Sequence, residues 1–288
     1  MSTQGIDVSQ WQGNINFAQV KAAGLDFVII RAGYGKTAAQ KDPYFEANYK
    51  NAKAAGLNVG VYWYSYAQST AEAQLEAAAC MERIKGKKFE YPIFFDLEES
   101  SQFAKGRSFC DSLVTTFCSA LEKAGYFAGL YISRAPLQSS ISPEVANKYA
   151  LWVAEYDSGL NYSGPVGMWQ NTSSYRVNGI SGNVDHDFSY VDYPRLIKQG
   201  GYNGYPKAEP TVLDAEGFKK GDKGLGVLAY KQLLLLAKKQ GFVTGPVNND
   251  AGFGGGTENA TNEVLEHFGY VQNGIAGTNL VKKLGEAL

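Results

Sequence analysis

The chain has 288 residues and nearly balanced charges, 27 Lys and Arg against 28 Asp and Glu, which argues against a nucleic-acid-binding protein with its usual basic excess. Its 44% hydrophobic and 19% charged residues predict a packed core rather than a disordered chain. Aromatic residues make up 13%, with 19 Tyr, 15 Phe and 4 Trp, which fits either an aromatic-lined cleft or tyrosines half-buried at strand ends.

Signals for membranes, export and metals are scarce. No apolar run reaches about 18 residues, so we predict no transmembrane helix and no membrane partner. Met1–Gln10 lacks the basic and apolar stretches of a secretory signal, which predicts a protein made in the cytoplasm. An odd number of cysteines and few histidines favour free thiols, without metal or cofactor; these residues are Cys80, Cys110, Cys118, His186 and His267.

From residue 5 to about 190, short β-forming apolar runs alternate with helical patterns. Beyond a short first strand, the predicted strands are Leu25–Arg31, Leu57–Tyr66, Tyr91–Glu98, Tyr126–Ser133, Tyr149–Tyr156 and Val166–Asn171. The predicted helices are Asn16–Ala23, Asp42–Ala55, Thr70–Lys85 and Ser108–Ala124, each directly followed by a glycine. This alternation predicts an α/β fold with a parallel sheet.

After Asn147 the strands follow one another without convincing helices. An open doubly wound sheet would need helices there, so we favour an irregular TIM-like β/α barrel with truncated last helices, over residues 1–197. The Gly- and Pro-rich stretch 198–212 predicts a linker.

Residues 213–288 predict a small three-helix module. Its helices are Leu225–Gln240, about Thr257–Phe268 with Thr257 as the N-cap, and a third from Thr278. Eight lysines balance eight acidic residues, and no acid–base cluster is visible. Such a module is typical of a binding appendage.

Asp96 and Glu98 end the predicted strand Tyr91–Glu98. Side chains two residues apart on a strand share a face, and active sites of barrels lie at the carboxyl ends of the strands. Because neighbouring like charges raise at least one pKa, the pair can supply the protonated acid that cleaves a glycosidic bond. The alternative is a strand end with two solvated acids.

Two further acids flank the predicted barrel strands. Asp7 follows the first strand and Asp185 follows the last, so closure of a barrel would bring four acids to one rim. Asp187, separated from Asp185 by His186, competes for this place. Asp7 has the alternative of capping a turn through Ser9.

Aromatic residues fall at the same strand ends. Tyr62, Tyr64 and Tyr66 share one face of their strand, and later strands carry Tyr131, Tyr156, Trp169 and Gln170 near their ends. Sugars stack their C–H faces on such rings, although core filling explains such rings equally well; we expect Trp169 to be exposed. Arg31 ends a strand and is expected to grip an anionic substituent or to pair with Asp7 or Asp96.

The motifs GIDVSQWQG, FFDLE, WVAEY, MWQNT and ISGNVDHDF, in this order between residues 4 and about 192, resemble family 25 glycoside hydrolases, the Chalaropsis-type lysozymes. The resemblance implies an irregular β/α barrel that cleaves the β-1,4 bond between N-acetylmuramic acid and N-acetylglucosamine in bacterial peptidoglycan. It implies Glu98 as the general acid and Asp96 as its partner. It also implies Asp7 and Asp185 as the acidic floor, with the sugar subsites lined by Tyr62, Tyr64, Tyr131, Trp169 and Gln170.

The tail resembles peptidoglycan-binding domain type 1, through the stretches FKKGDKGLGVLAYKQLLLLAKKQGF, DAGFGGGTENATNEVLEHFGY and NGIAGTNLVKKL. This likeness implies a cell-wall-binding module, for which we expect Phe253, Gly254 and Thr257 to hold a carboxylate at a helix N-terminus.

The implied substrate is extracellular, but the sequence shows no secretory signal. This combination favours a phage or prophage endolysin, which is released through a holin and acts on the cell wall. We expect no obligate protein partner. A bacterial autolysin or spore-cortex muramidase is the alternative, and a non-catalytic wall-binding protein is a remote one. For the chemistry we favour retention assisted by the substrate acetamido group, which Asp96 would orient.

Overall fold

The computed structural model describes residues 2–207 and 212–288. In these residues, eight strands close into a barrel in chain order. The strands are β1 (Thr3–Val8), β2 (Phe27–Tyr34), β3 (Asn58–Tyr64), β4 (Ile93–Asp96), β5 (Ala128–Ser133), β6 (Ala150–Ala154), β7 (Met168–Tyr175) and β8 (Val184–Ser189). Strands β1 to β7 run parallel, whereas β8 runs antiparallel to both β7 and β1. The predicted β/α barrel is therefore confirmed.

Helices surround the first part of the barrel and shorten towards its end. They are α1 (Phe17–Ala22), α2 (Phe45–Ala54), α3 (Thr70–Ile84), α4 (Ser100–Phe103), α5 (Arg107–Lys123), α6 (Arg134–Ser140), α7 (Pro143–Lys148) and α8 (Tyr193–Gly200). Residues 155–167 and 176–183, which connect β6 to β8, are described throughout and contain no helix. Among the described residues, no helix is long and apolar enough to cross a membrane.

The barrel interior is filled by rings at the end where the parallel strands begin. Phe27 and Phe94 are fully buried there, and the buried Trp152 ring packs on Phe94 farther along the barrel. A Cβ on Gly5 would lie 2.4 Å from the Phe27 ring, and one on Gly129 would lie 2.5 Å from Phe94, so glycine makes room for these rings. Because these rings fill one end of the barrel interior, polar side chains occupy the opposite rim, at the carboxyl ends of the strands.

Strand β8 was not predicted. Asp185 was expected after the last strand, but it lies within β8, and Asp7 lies within β1 rather than after it. The β8 sequence VDHDFS carries three polar or charged residues among its first four, so it lacks the apolar signature of the other strands. Its reversed direction places Asp7 and Asp185 directly opposite each other.

The barrel unit extends past the predicted boundary at residue 197. Helix α8 runs to Gly200, and the compact unit that contains the barrel ends at Lys207. Asn203 is fully buried, accepts a hydrogen bond from the Phe127 N–H at 2.8 Å and donates one to the Tyr91 carbonyl at 2.9 Å. Residues 198–207 were thus wrongly assigned to the linker, while residues 208–211 lie outside the described residues.

The second unit, residues 212–288 as described, contains α9 (Leu225–Lys239), α10 (Gly255–His267) and α11 (Thr278–Ala287) around its own apolar core. The predicted N-cap Thr257 is wrong, because Gly254 occupies that position and Thr257 is buried within α10. Lys231 is also fully buried, and its ammonium group donates to Asn248, Asp250 and the Gly252 carbonyl.

Candidate active site

A cavity of about 270 Å³ opens at the carboxyl ends of the barrel strands, where the four predicted acids converge. Its lining is Asp7, Trp11, Arg31, Tyr62, Tyr64, Asp96, Glu98, Tyr131, Trp152, Tyr156, Gln170 and Asp185. Strand register explains the convergence, because Asp96 lies beside Tyr64 of β3 and Tyr131 of β5, while Asp7 pairs with Asp185. Past Glu98 a wider depression of about 750 Å³ continues towards α4 and α6.

Asp7 is held by a chain of buried hydrogen bonds. The Gln170 amide donates to its carboxylate at 2.6 Å, and the hydroxyls of Tyr131 and Tyr156 donate to the Gln170 carbonyl oxygen at 2.8 and 2.9 Å. Burial raises the pKa of Asp7 well above its usual range, and the charge of Asp185 raises it further. One wall of the cavity is therefore a fixed network of oriented polar groups.

Asp185 and Asp187 have different places in β8. Asp185 lines the cavity, and burial raises its pKa to about 6. Asp187 is fully buried below the cavity, where its Oδ1 accepts a hydrogen bond from the Trp152 indole N–H at 2.8 Å. Since successive residues of a strand point alternately and β8 is antiparallel, the residue nearest the carboxyl rim is Asp185.

Asp96 and Glu98 lie at the end of β4 and face the same cavity, as their spacing predicted. Asp96 is buried, and its Oδ1 has no hydrogen-bond partner. Burial, followed by the charges of Glu98 and Asp7, raises its pKa well above the usual range. Glu98 reaches solvent, yet the protein packed around its carboxyl group raises its pKa, with a smaller contribution from Asp185.

The four acids therefore form one interacting group. Like charges in a poorly hydrated cavity keep protons at a pH at which isolated carboxyl groups are ionised. The most exposed member is Glu98, Asp185 is partly exposed, and the most deeply buried members are Asp7 and Asp96. Such a cluster can deliver a proton to a substrate oxygen and stabilise positive charge that develops beside it.

Arg31 lines the cavity, but its ion-pair partner is neither of the predicted acids. Its Nε donates to Asp42 at 2.8 Å, and Asp42 also accepts from the backbone N–H groups of Gln10 and Tyr44. The Arg31 charge nevertheless lowers the pKa of Asp96 against the larger effect of burial.

Trp169 is the clear error among the predicted subsite residues. It is only 8% exposed, its indole N–H donates to the Glu155 carbonyl at 2.8 Å, and its ring stacks on Phe188. On β7 the neighbours Met168 and Gln170 point into the barrel, so Trp169 points out of it. The other predicted residues, Tyr62, Tyr64, Tyr131 and Gln170, line the cavity.

Two exposed rings outside the implied sugar subsites line the cavity: Trp11, which was not predicted, and Tyr156, which was predicted only as a ring at a strand end. Trp11 is 78% exposed on a 3₁₀ turn, Gln10–Gln12, which Ser9 caps by accepting from the Trp11 N–H. Tyr156 is 58% exposed just after β6. The signal for both was their place directly after a strand: Trp11 in the motif GIDVSQWQG and Tyr156 in WVAEY.

The residues predicted for wall binding in the second unit lie largely in its core. Phe253 is 2% exposed and stacks in parallel with Tyr230, and Thr257 is 1% exposed. Neither side chain is available on the surface for a ligand, which corrects the prediction for both. Gly254 remains at the N-terminus of α10.

Sequence similarity links the chain to a known family. The family model for glycosyl hydrolases family 25 matches residues 6–180. Lysozyme M1 of Streptomyces globisporus is 31% identical over 209 residues, which cover 67% of this chain and 70% of that protein.

Solved structures show the same barrel. The modular autolysin LytC from Streptococcus pneumoniae, in complex with a synthetic peptidoglycan ligand, is 28% identical with a TM-score of 0.60 and covers 66% of this chain. The match spans 47%, about half, of the length of that autolysin. The CTP1L endolysin covers 99% of this chain and 98% of its own at 21% identity and a TM-score of 0.64, a likeness of fold.

Proposed function

Because the chain belongs to glycosyl hydrolase family 25, we propose that it is a muramidase that cleaves the β-1,4 bond between N-acetylmuramic acid and N-acetylglucosamine. The chain is a glycoside hydrolase of the lysozyme type, and the family's lysozymes point to peptidoglycan as substrate. The observation that carries the finer proposal is the convergence of four acids beneath aromatic walls at one rim of the barrel.

Glu98 is the proposed general acid. Its carboxyl group is the most exposed of the cluster, and its raised pKa favours the protonated form that a general acid needs. The proton passes to the glycosidic oxygen as the bond to the anomeric carbon breaks, and the positive charge develops on the sugar ring. Asp185, which is ionised above its pKa of about 6, then stabilises this charge from the floor of the cavity beside Asp7.

Asp96 is proposed to orient the 2-acetamido group of the substrate. Its Oδ1 is buried and lacks a protein partner, so it can accept a hydrogen bond from the acetamido N–H. The acetamido oxygen then attacks the anomeric carbon, and water opens the resulting ring with overall retention. Proton NMR of the first product tests this step: we expect the β-anomer, and an initial α-anomer would contradict the proposal.

The main experiment measures the clearing of purified peptidoglycan by the wild type and by Glu98→Gln and Asp96→Asn. We expect both variants to lose about 10²-fold or more in rate while they still sediment with the wall material. Glu82→Gln is the matched control, since it removes an exposed carboxylate on α3 that does not line the cavity. Equal clearing by all four proteins would refute the assignment.

Product analysis identifies the bond. Mass spectrometry of the released fragments is expected to find muramic acid at the reducing ends. Reducing-end glucosamine would instead define a glucosaminidase, and an absence of new reducing ends would support the non-catalytic alternative.

For the second unit we propose binding to the cell wall, on the basis of its likeness in sequence to peptidoglycan-binding domain type 1 and its small helical core. For the biological role we propose lysis of a bacterial host by a phage or prophage endolysin, made in the cytoplasm and acting on the wall after release. The alternative role is that of an autolysin, and its support is the similarity to the pneumococcal autolysin LytC. Expression with a separately induced holin distinguishes them: an endolysin lyses the cells only after holin induction.

A further inference from the structure

An exposed pair of tyrosines lies just outside the catalytic cavity, above β2 and β3. Tyr66 is 50% exposed and follows β3, and Tyr34 ends β2. Their rings meet edge to face, with centroids 6.2 Å apart and an interplanar angle of 88°. Neither ring lines the cavity itself.

The backbone that carries Tyr66 is fixed from below by buried polar groups. Its N–H donates to the Glu76 carboxylate at 2.8 Å, and Glu76 is only 1% exposed. The Gln102 amide, fully buried, donates to the Ser65 hydroxyl and to the Ala67 carbonyl, both at 3.0 Å. A solvent-exposed ring on so well anchored a segment is preorganised for contact with a ligand.

The pair is continuous with the cavity through Tyr64. The Tyr64 ring lines the cavity, and its centroid lies 5.0 Å from that of Tyr66. The Tyr64 hydroxyl donates to Glu99 at 2.8 Å. Tyr66 therefore extends the same aromatic wall by one ring.

The cavity is small for its polymeric substrate. At about 270 Å³ it lies just below the usual volume range of pockets that hold drug-sized ligands, so a glycan strand must continue over the surrounding surface. The depression past Glu98 offers one direction, over β4 and β5. The tyrosine pair lies on the opposite flank of β3.

We infer that Tyr66, supported edge-on by Tyr34, is a stacking platform for the next pyranose of the glycan strand beyond the catalytic cavity. The inference rests on the proposed muramidase function. The C–H face of a pyranose packs on an aromatic ring, and its hydroxyl groups stay in water or reach the neighbouring Glu99. The platform makes long strands better substrates than short ones.

The test uses peptide-free oligosaccharides of alternating N-acetylglucosamine and N-acetylmuramic acid, a tetrasaccharide and an octasaccharide, with the full chain. Tyr66→Ala is expected to lower kcat/KM on the octasaccharide about five- to tenfold, mostly through KM, and to change the tetrasaccharide value less than twofold. Tyr66→Phe keeps the ring and is expected to retain the preference for the longer substrate.

Tyr190→Ala is the matched control, because Tyr190 is similarly exposed but follows β8 at the opposite rim. It is expected to change neither substrate. Equal losses on both substrates with Tyr66→Ala, or no loss on either, would overturn the platform. If the wild type cleaves neither oligosaccharide, the proposed function fails rather than the platform.

Discussion

Burial of Asp185 in the acidic cluster lowers the stability of the folded protein at neutral pH. Burial raises its pKa to about 6, so the folded state holds a proton that the unfolded chain releases near pH 4. Since the native pKa is the higher one, stability is lost as the pH rises from about 4 through 6.

We therefore expect Asp185→Asn to stabilise the protein by about 1–3 kcal/mol at pH 7, with no gain at pH 3.5. Thermal unfolding at the two pH values measures the difference. Glu82→Gln, which replaces an exposed carboxylate on α3, is the control and should leave the unfolding temperature unchanged at both. A gain of the same size at both pH values would contradict the electrostatic origin.

A second prediction at this scale concerns the pH profile. The charge of Glu99 contributes to the raised pKa of Glu98, after burial and Asp185. Glu99→Gln removes this charge but keeps an oxygen that can accept from the Tyr64 hydroxyl. The alkaline limb of kcat/KM should move to lower pH while kcat at the optimum changes little. An unchanged limb would mean that another group controls it.

At the level of single residues, the i, i+2 rule was sufficient for Asp96 and Glu98, because Asp96 ends β4 and Glu98 follows it by only two residues. It failed for Trp169. That residue neighbours polar side chains along the chain, but the side of the sheet to which it points depends on the phase of β7, which its short pattern did not define. Asp185 could be separated from Asp187 only by the direction of β8.

At the level of elements, the long helices and the parallel strands were predicted within a few residues of their observed ends, because apolar periodicity and glycine C-caps mark them. Strand β8 and helix α8 were missed for opposite reasons. The strand is too polar, and the helix is only eight residues long and runs into glycines that resemble a linker.

The segment after α8 is a structural element without regular secondary structure. Asn203 adopts a left-handed backbone conformation, with φ of 53°, and joins the starts of β4 and β5 through both side-chain groups. Asn203→Ala leaves two buried backbone groups without partners, so we expect a loss of about 2–4 kcal/mol in the free energy of unfolding. Denaturant titration measures it, with the exposed Asn178→Ala as the control; losses of equal size would refute this role.

At the level of the whole molecule, the division at residue 207 predicts where the catalytic unit can be cut. A fragment of residues 1–207 should unfold as cooperatively as the barrel in the full chain. A fragment of residues 1–197 loses Asn203 and Tyr205, whose hydroxyl contacts Glu90, and should unfold at a clearly lower temperature. Equal unfolding temperatures of the two fragments would show that the barrel ends at residue 197, as the sequence predicted.

The fragment 1–207 also tests the proposed second unit. If that unit binds the wall, removing it lowers activity on insoluble peptidoglycan by about tenfold or more but leaves activity on soluble oligosaccharides unchanged, since tethering raises only the local concentration at a surface. A uniform loss on both substrates would indicate damage to the barrel instead.

The reversed last strand has a practical consequence for handling the enzyme. Because β8 runs antiparallel to its neighbours, the chain leaves the barrel at the rim where the parallel strands start. The segment from α8 to Tyr205 packs at that rim, where Asn203 binds the Tyr91 carbonyl and Tyr205 contacts Glu90. The groove opens at the other rim. A barrel coupled to a bead or sensor chip by a tag after residue 207 would therefore present its groove outward, accessible to particles much larger than itself.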